Sequence, residues 1–327
     1  MDLSVRIERW PLAGAFTISR GSKTEAVVVV AELTDGTHRG RGECVPYPRY
    51  GESPDRIVDA IEAMRPALRQ GLDRAALQAE MPPGAARNAL DCACWDVSAK
   101  QSGRPAYELA GLAAPRPLIT AYTISLATPK AMAGAAERAA SRPLLKIKLG
   151  GADNDDVRRI AAVRRAAPAA ELIVDANEGW TADTLAPNLA ACADCGVTLI
   201  EQPLPEGRDN ALGRGKRPIP VCADESVHAR ASLDRLAGKY DAINVKLDKT
   251  GGLTEALALA GAAEQRGLAV MVGCMVATSL SMAPAVLLAQ RARIVDLDGP
   301  LLLARDRPDA LRYDGSLIYP PDSALWG

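Results

Sequence analysis

Alternating polar and apolar side chains mark a first strand at Ser4 to Arg9, and a nearly continuous apolar run marks a second at Ala26 to Leu33. Asp35-Gly36 reads as a hairpin turn into a third strand, Gly40 to Cys44, so the chain opens with a small antiparallel sheet. The period then becomes helical, from Pro54 to Gln70 and from Gly84 to Gln101, where Ala86, Leu90, Cys94, Val97 and Ala99 share an apolar face. Pro115-Arg116-Pro117 closes this α+β unit, residues 1–115.

From residue 116 onward, short apolar runs alternate with Ala-rich helical stretches, the order that forces parallel strands joined by crossovers. Eight runs qualify: Leu118 to Ser125, Leu144 to Leu149, Glu171 to Asn177, Val197 to Pro203, Pro220 to Ser226, Ala242 to Asp248, Ala269 to Met275 and Ile294 to Pro300. A spacing of about 25 residues allows one βα unit per step and predicts a closed eight-stranded α/β barrel over residues 116–305. No helical period returns after Pro300, so the eighth helix is missing, and residues 306–327 form a tail free to return to the N-terminal unit.

With 327 residues, 48% hydrophobic and 24% charged, the chain has core enough for a barrel and a second domain. A formal net charge of −1 offers no overall field for nucleic acid or anionic lipid, which leaves small molecules as the expected partners. No apolar run approaches the roughly 20 residues of a membrane span, and Asp2, Arg6, Glu8 and Arg9 stand too early for a secretory leader. A cytoplasmic protein is expected. Its seven scattered cysteines read as reduced thiols, and Cys192 and Cys195 lie in a helical stretch without partners for a zinc site. His38 and His228 are the only histidines, so a general base is to be sought among carboxylates and lysines.

Barrel chemistry gathers at the C-terminal ends of the strands. Here those ends carry in turn Thr123, Lys148, Asp175 with Asn177, Glu201 with Gln202, Asp224 with Glu225, Lys246 with Asp248, Cys274, and Asp296 with Asp298. Asp175, Glu201 and Asp224 come from neighbouring strands, so their carboxylates can converge and repel. A hard divalent cation relieves that repulsion, and three carboxylates with positions left open suit Mg2+ better than zinc. Helix capping by each acid is the alternative.

Lys146 and Lys148 are two residues apart and point to one face, the barrel interior. Mutual repulsion, burial and a nearby cation are expected to lower the lysine pKa toward that of a base, while ion pairing with the acidic strands is the competing reading. Lys246 arrives from the sixth strand, opposite the second, so Lys148 and Lys246 would face each other across a substrate. Two bases flanking one carbon, beside a cation that holds a carboxylate, specify proton removal on one face and return on the other. General acid-base catalysis supplies about 10²- to 10⁴-fold, and metal stabilisation of the enediolate must supply most of the rest.

In order along the chain, Lys146-Ile147-Lys148, Asp175-Ala176-Asn177, Glu201-Gln202-Pro203, Ala223-Asp224-Glu225-Ser226 and Asn244-Val245-Lys246 resemble the muconate-lactonising subgroup of the enolase superfamily. The likeness covers nearly the whole chain. It implies a (β/α)7β modified TIM barrel under an N-terminal capping domain, one Mg2+ on Asp175, Glu201 and Asp224, and Lys148 and Lys246 as catalytic bases. Lys246 to Leu253, Gly273-Cys274-Met275 and Asp296-Leu297-Asp298-Gly299-Pro300 look most like the L-Ala-D/L-Glu epimerases. That likeness implies a dipeptide substrate, a role in cell-wall peptide metabolism, and assembly of identical subunits.

Asp296 and Asp298 share a strand face, where a carboxylate pair would attract an ammonium; the resemblance assigns them the α-ammonium of the first residue. Thr123, Lys146 and Cys274 complete the expected substrate site. An acidic second residue needs a cation from the lid, Ser19 to Thr24, and Arg20 and Lys23 are the candidates. The epimerases resembled place an arginine where Lys23 stands, and a lysine cannot make the bidentate fork to a carboxylate. Muconate cycloisomerases, o-succinylbenzoate synthases and N-acylamino-acid racemases share the metal and lysines, but their substrates lack the ammonium that Asp296 and Asp298 would bind. A Schiff-base aldolase would not need three acidic strand ends, nor a binding barrel two opposed lysines.

Overall fold

The computed structural model describes residues 1–213 and 216–327. Strands β1 (Asp2–Ile18), β2 (Gly21–Thr34) and β3 (Arg39–Cys44) form the antiparallel sheet. β1 and β2 run further than the alternation indicates, joined at a tight tip and interrupted by a register shift between Pro11 and Phe16. Helices α1 (Pro54–Glu62), α2 (Arg65–Arg69), α3 (Arg74–Glu80), α4 (Ala85–Ser102) and α5 (Ala106–Leu109) follow. The helix expected over 54–70 is thus two. Pro66 has no N–H to donate to the preceding turn, so the first helix ends and a second begins with Pro66 in its first turn.

α4 lies between sheet and barrel and is buried on nearly every side, not on one face. Its polar residues are therefore paired: Asp91 accepts from Thr254, Asn88 donates to Asp248, and Arg87 donates to the carbonyls of Thr250 and Gly251. Asp248, expected at a strand mouth, instead sits in a helical turn and also accepts from Val45 N, tying barrel to N-terminal unit.

The segment expected as one strand, 118–125, splits. β4 (Leu118–Ile119) joins the C-terminal hairpin described below, and β5 (Tyr122–Ile124) begins the barrel. The barrel continues α6 (Pro129–Arg138), β6 (Leu144–Lys148), α7 (Asp156–Ala166), β7 (Glu171–Asp175), α8 (Ala182–Asp194), β8 (Val197–Glu201), β9 (Val221–Ala223), β10 (Ala242–Val245), α9 (Leu247–Thr250), α10 (Leu253–Gln265), β11 (Ala269–Gly273), α11 (Ser279–Ala289) and β12 (Ile294–Asp296). The crossovers after β8 and β9 carry short 3-10 turns, Asn210–Gly213 and Arg230–Arg235. All eight barrel strands are parallel neighbours in chain order, and Ala121 N donates to Val295 O at 2.8 Å to join the last to the first.

Among the described residues no α-helix follows β12. A 3-10 turn, Gly299–Leu302, leads to the hairpin β13 (Tyr313–Asp314) and β14 (Leu317–Ile318), which pairs with β4. The chain then reaches the N-terminal unit, where Trp326 Nε1 donates to Cys92 O and Gly327 N to Asp96 Oδ1. No helix among the described residues is long and apolar enough to cross a membrane.

Candidate functional site

Inward-facing positions climb the barrel two residues at a time. The lowest layer is apolar and plugs the floor: Ala121, Leu144, Ile173, Leu199, Cys222, Ala242 and Met271. Two residues further along each strand the layer turns polar, with Thr123, Lys146, Asp175, Glu201, Asp224, Asn244 and Asp296. Gly273 is the exception in that layer, because a Cβ there would meet the Asn244 side chain at 2.7 Å. Lys148 and Lys246 stand one step higher and line a cavity of about 350 Å³.

Asp175, Glu201 and Asp224 each offer an oxygen within 4.8 Å of the other two, and none is more than 2% exposed. Two of them are oriented by side-chain amides, one from the loop after β7 and one from β10. Asn177 donates to Asp175 through N at 2.9 Å and Nδ2 at 3.1 Å, and Asn244 Nδ2 donates to Glu201 Oε1 at 2.7 Å. The backbone leaves β7 and β8 through left-handed Asn177, Glu178 and Gln202, a strain of the kind stored where geometry is over-determined. Gln202 Oε1 then accepts from the N–H groups of Asp224 and Ser226.

Lys148 Nζ lies 2.5 Å from Asp175 Oδ2, Lys246 Nζ 2.7 Å from Asp224 Oδ2, and Lys146 Nζ 2.7 Å from Asp296 Oδ2. These pairs overturn the expected lowering of the Lys146 pKa. Burial alone would lower it, but Asp296, Glu201 and Asp175 outweigh burial and raise it; Asp224 and Glu201 do the same for Lys246. Each ammonium faces a carboxylate before it faces another ammonium.

Burial opposes ionisation of all three acids. Lys148 and Lys146 nevertheless hold Asp175 below the usual carboxylate range, and Lys246 and Lys249 do so for Asp224. Glu201 goes the other way, raised by burial and by the charge on Asp175. Lys146 Nζ lies 2.6 Å from Glu201 Oε2 at an angle that makes no hydrogen bond, which leaves that buried oxygen without a donor. Three buried carboxylates, of which Glu201 both resists ionisation and keeps an orphaned oxygen, and no sulfur or imidazole among them, fit a hard divalent cation.

Thr123, Lys146, Cys274, Asp296, Asp298, Arg20 and Lys23 all line the same cavity. Asp298 is not on the strand face of Asp296, as alternation implied, but precedes the 3-10 turn after β12, where its Oδ2 accepts from Thr123 N at 2.6 Å. Asp296 Oδ1 is buried without a partner. Burial and the Asp296 charge raise the Asp298 pKa, and burial also pushes up the Cys274 thiol.

Arg20 lines the cavity already paired. It donates to Glu225 Oε1 at 2.7 Å, Asn177 O at 2.9 Å and Glu178 Oε2 at 3.1 Å, pinning the β1–β2 tip to the barrel. Lys23 faces Phe16, 5.7 Å from the ring centroid, and among the described residues it is the cavity-lining cation without an ion-pair partner.

Residues 131–323 match the family described as enolase C-terminal domain-like, and residues 1–111 the mandelate racemase / muconate lactonizing enzyme N-terminal domain. The chain belongs to the enolase superfamily. Within the superfamily it is 48% identical to the L-Ala-D/L-Glu epimerase of Escherichia coli (strain K12), over 94% of this chain and 95% of that one. It is 45% identical to the N-acetyl-D-glutamate racemase of a Pseudoalteromonas species, over 92% and 95%. A solved enolase family member from Agrobacterium tumefaciens with homology to dipeptide epimerases, holding sodium and L-Ala-L-Glu with an ordered loop, superposes with a TM-score of 0.97 at 55% identity over 99% of both chains.

Strand-end reading named Asn177 and Glu225 without giving them a role, and it passed over Tyr47, Tyr50, Phe16 and Lys249. Glu225, Asn177, Tyr47, Tyr50 and Phe16 line the cavity, and Lys249 is buried behind Asp224. A signal existed for two of them: Phe16 is the chain's single phenylalanine, and Lys249 follows Lys246 by three residues.

Proposed function

We propose that this chain is a dipeptide epimerase that interconverts L-Ala-L-Glu and L-Ala-D-Glu by 1,1-proton transfer at the glutamate α-carbon. The observation that carries the reading is that Lys148 and Lys246, from the second and sixth of eight strands, enter one cavity whose wall also carries Asp296 and Asp298. Asp175, Glu201 and Asp224 would hold one Mg2+. Such an ion would offset the carboxylate charge that raises Lys246 and would stabilise negative charge developing on the substrate carboxylate.

Each lysine then has one task. The neutral amine of one removes the α-proton from its face, and the ammonium of the other returns a proton to the opposite face, inverting the centre. The orphaned Asp296 Oδ1 and the carboxyl of Asp298 receive the substrate ammonium, which counters the repulsion that raises Asp298. Lys23 receives the glutamate carboxylate. Phe16, 5.9 Å from Lys148 Nζ, and the pinned β1–β2 tip keep water from the reacting carbon.

In deuterated water with Mg2+, L-Ala-L-Glu is expected to lose its glutamate α-proton signal and yield the D-Glu diastereomer by NMR, and a chelator to stop both. Absence of exchange across acidic and neutral dipeptides with metal present would remove the assignment. The 45% identity to an N-acetyl-D-glutamate racemase supports a second reading, an N-acylated glutamate without an ammonium. A larger kcat/KM for N-acetyl-L-glutamate than for L-Ala-L-Glu in the same assay would favour it.

A further inference from the structure

Asp224 is gripped by two lysines in different positions. Lys246 Nζ, 2.7 Å from Oδ2, faces the cavity. Lys249 Nζ lies 2.5 Å from Oδ1, 2.5 Å from the Asp224 carbonyl and 3.0 Å from the Asn244 carbonyl, behind the cavity wall. Because α9 starts directly after Lys246, residues 246 and 249 lie about one helical turn apart and reach the two oxygens of one carboxylate. Lys249 is 1% exposed, and an ammonium has three N–H groups for those three acceptors. With every donor engaged and no access to the cavity, it has no proton to exchange with a substrate.

We infer that Lys249 is a positioning residue that makes Asp224 a single-oxygen ligand and thereby tunes the site toward a small octahedral cation over a larger one. The inference rests on the reading of Asp175, Glu201 and Asp224 as a cation site. Ca2+ accepts both oxygens of a carboxylate at about 2.3 to 2.6 Å in a flexible shell, whereas Mg2+ demands near-octahedral geometry at about 2.0 to 2.1 Å. With Oδ1 engaged by Lys249, Asp224 presents Oδ2 alone, and the two-oxygen grip that favours Ca2+ is blocked. The bare charge of Lys249 acts differently: it repels both divalent ions alike. Losing the charge would tighten both; losing the positioning would change their ratio.

The test is calorimetric titration of metal-free wild type and Lys249→Met with MgCl2 and with CaCl2, after circular dichroism of each. The ratio of Ca2+ to Mg2+ dissociation constants is expected to fall about tenfold or more in the variant, a shift toward Ca2+ that lost charge alone would not produce. An unchanged ratio overturns the role of Lys249. Should Lys249→Met not fold, a crystal structure of wild type with Ca2+ decides: Asp224 bound through Oδ2 alone, with Lys249 still on Oδ1, supports the inference, and two-oxygen coordination overturns it. Wild type that binds neither ion removes the cation site itself, and the inference with it.

Discussion

Lys23 shows how burial sets what a side chain can do. Burial, reinforced by the nearby Lys148 charge, lowers its pKa from 10.5 to about 8. It is therefore charged below about pH 8 and neutral above. Since kcat/KM reports the free enzyme, the preference for L-Ala-L-Glu over L-Ala-L-Gln is expected to fall about tenfold between pH 7 and pH 9, the loss of one charged hydrogen bond. In Lys23→Arg it should stay flat, because a guanidinium keeps its charge. A flat preference in wild type would assign selectivity to another group. The acidic trio and the paired lysines were legible at this scale because inward positions recur every second residue on every strand. The pairing of Arg20 was not, since Glu225 and Glu178 lie more than 150 residues away in the chain. Nor was the direction of the Lys146 shift, which depends on whether the facing strand brings a carboxylate nearer than a second lysine.

The contact between β3 and α4 holds the N-terminal unit together by close backbone approach. A Cβ on Gly42 would fall 2.0 Å from Ala89 O, and one on Gly40 2.3 Å from Val97 N, both on a helix buried between two layers. Gly42→Ala must push that helix away, and a loss of about 3 kcal/mol or more is expected in denaturant unfolding. A loss below about 1 kcal/mol would mean that the layers slide freely. Element types were largely readable from period and turn residues, as with the Asp35-Gly36 hairpin and the helix over 85–102. Their ends were not. α3 is a single short helix capped by Asp73, too brief to show a period, and the barrel strands stop earlier than their apolar runs because the last residues turn into the loops that hold the site.

Barrel and N-terminal unit make one catalytic chamber only where they meet. Beyond the Arg20 contacts, Glu43 of β3 accepts from Thr278 at the start of α11 and from Arg307, which also pairs with Glu8 of β1. Eight strands in sequence and the missing last helix were visible in the pattern. The seating of the N-terminal unit over the mouth was not, because its bonds join residues more than 150 apart that no local period relates. In the proposed reaction, Lys148 and Lys246 of this chamber act on one carbon from opposite sides. The most direct test is NMR of L-Ala-L-Glu with Mg2+ in deuterated water for wild type, Lys148→Ala and Lys246→Ala. Each variant is expected to lose epimerisation by at least about 10²-fold while remaining folded, and a Lys246→Ala variant that epimerises at the wild-type rate would contradict the two-base mechanism.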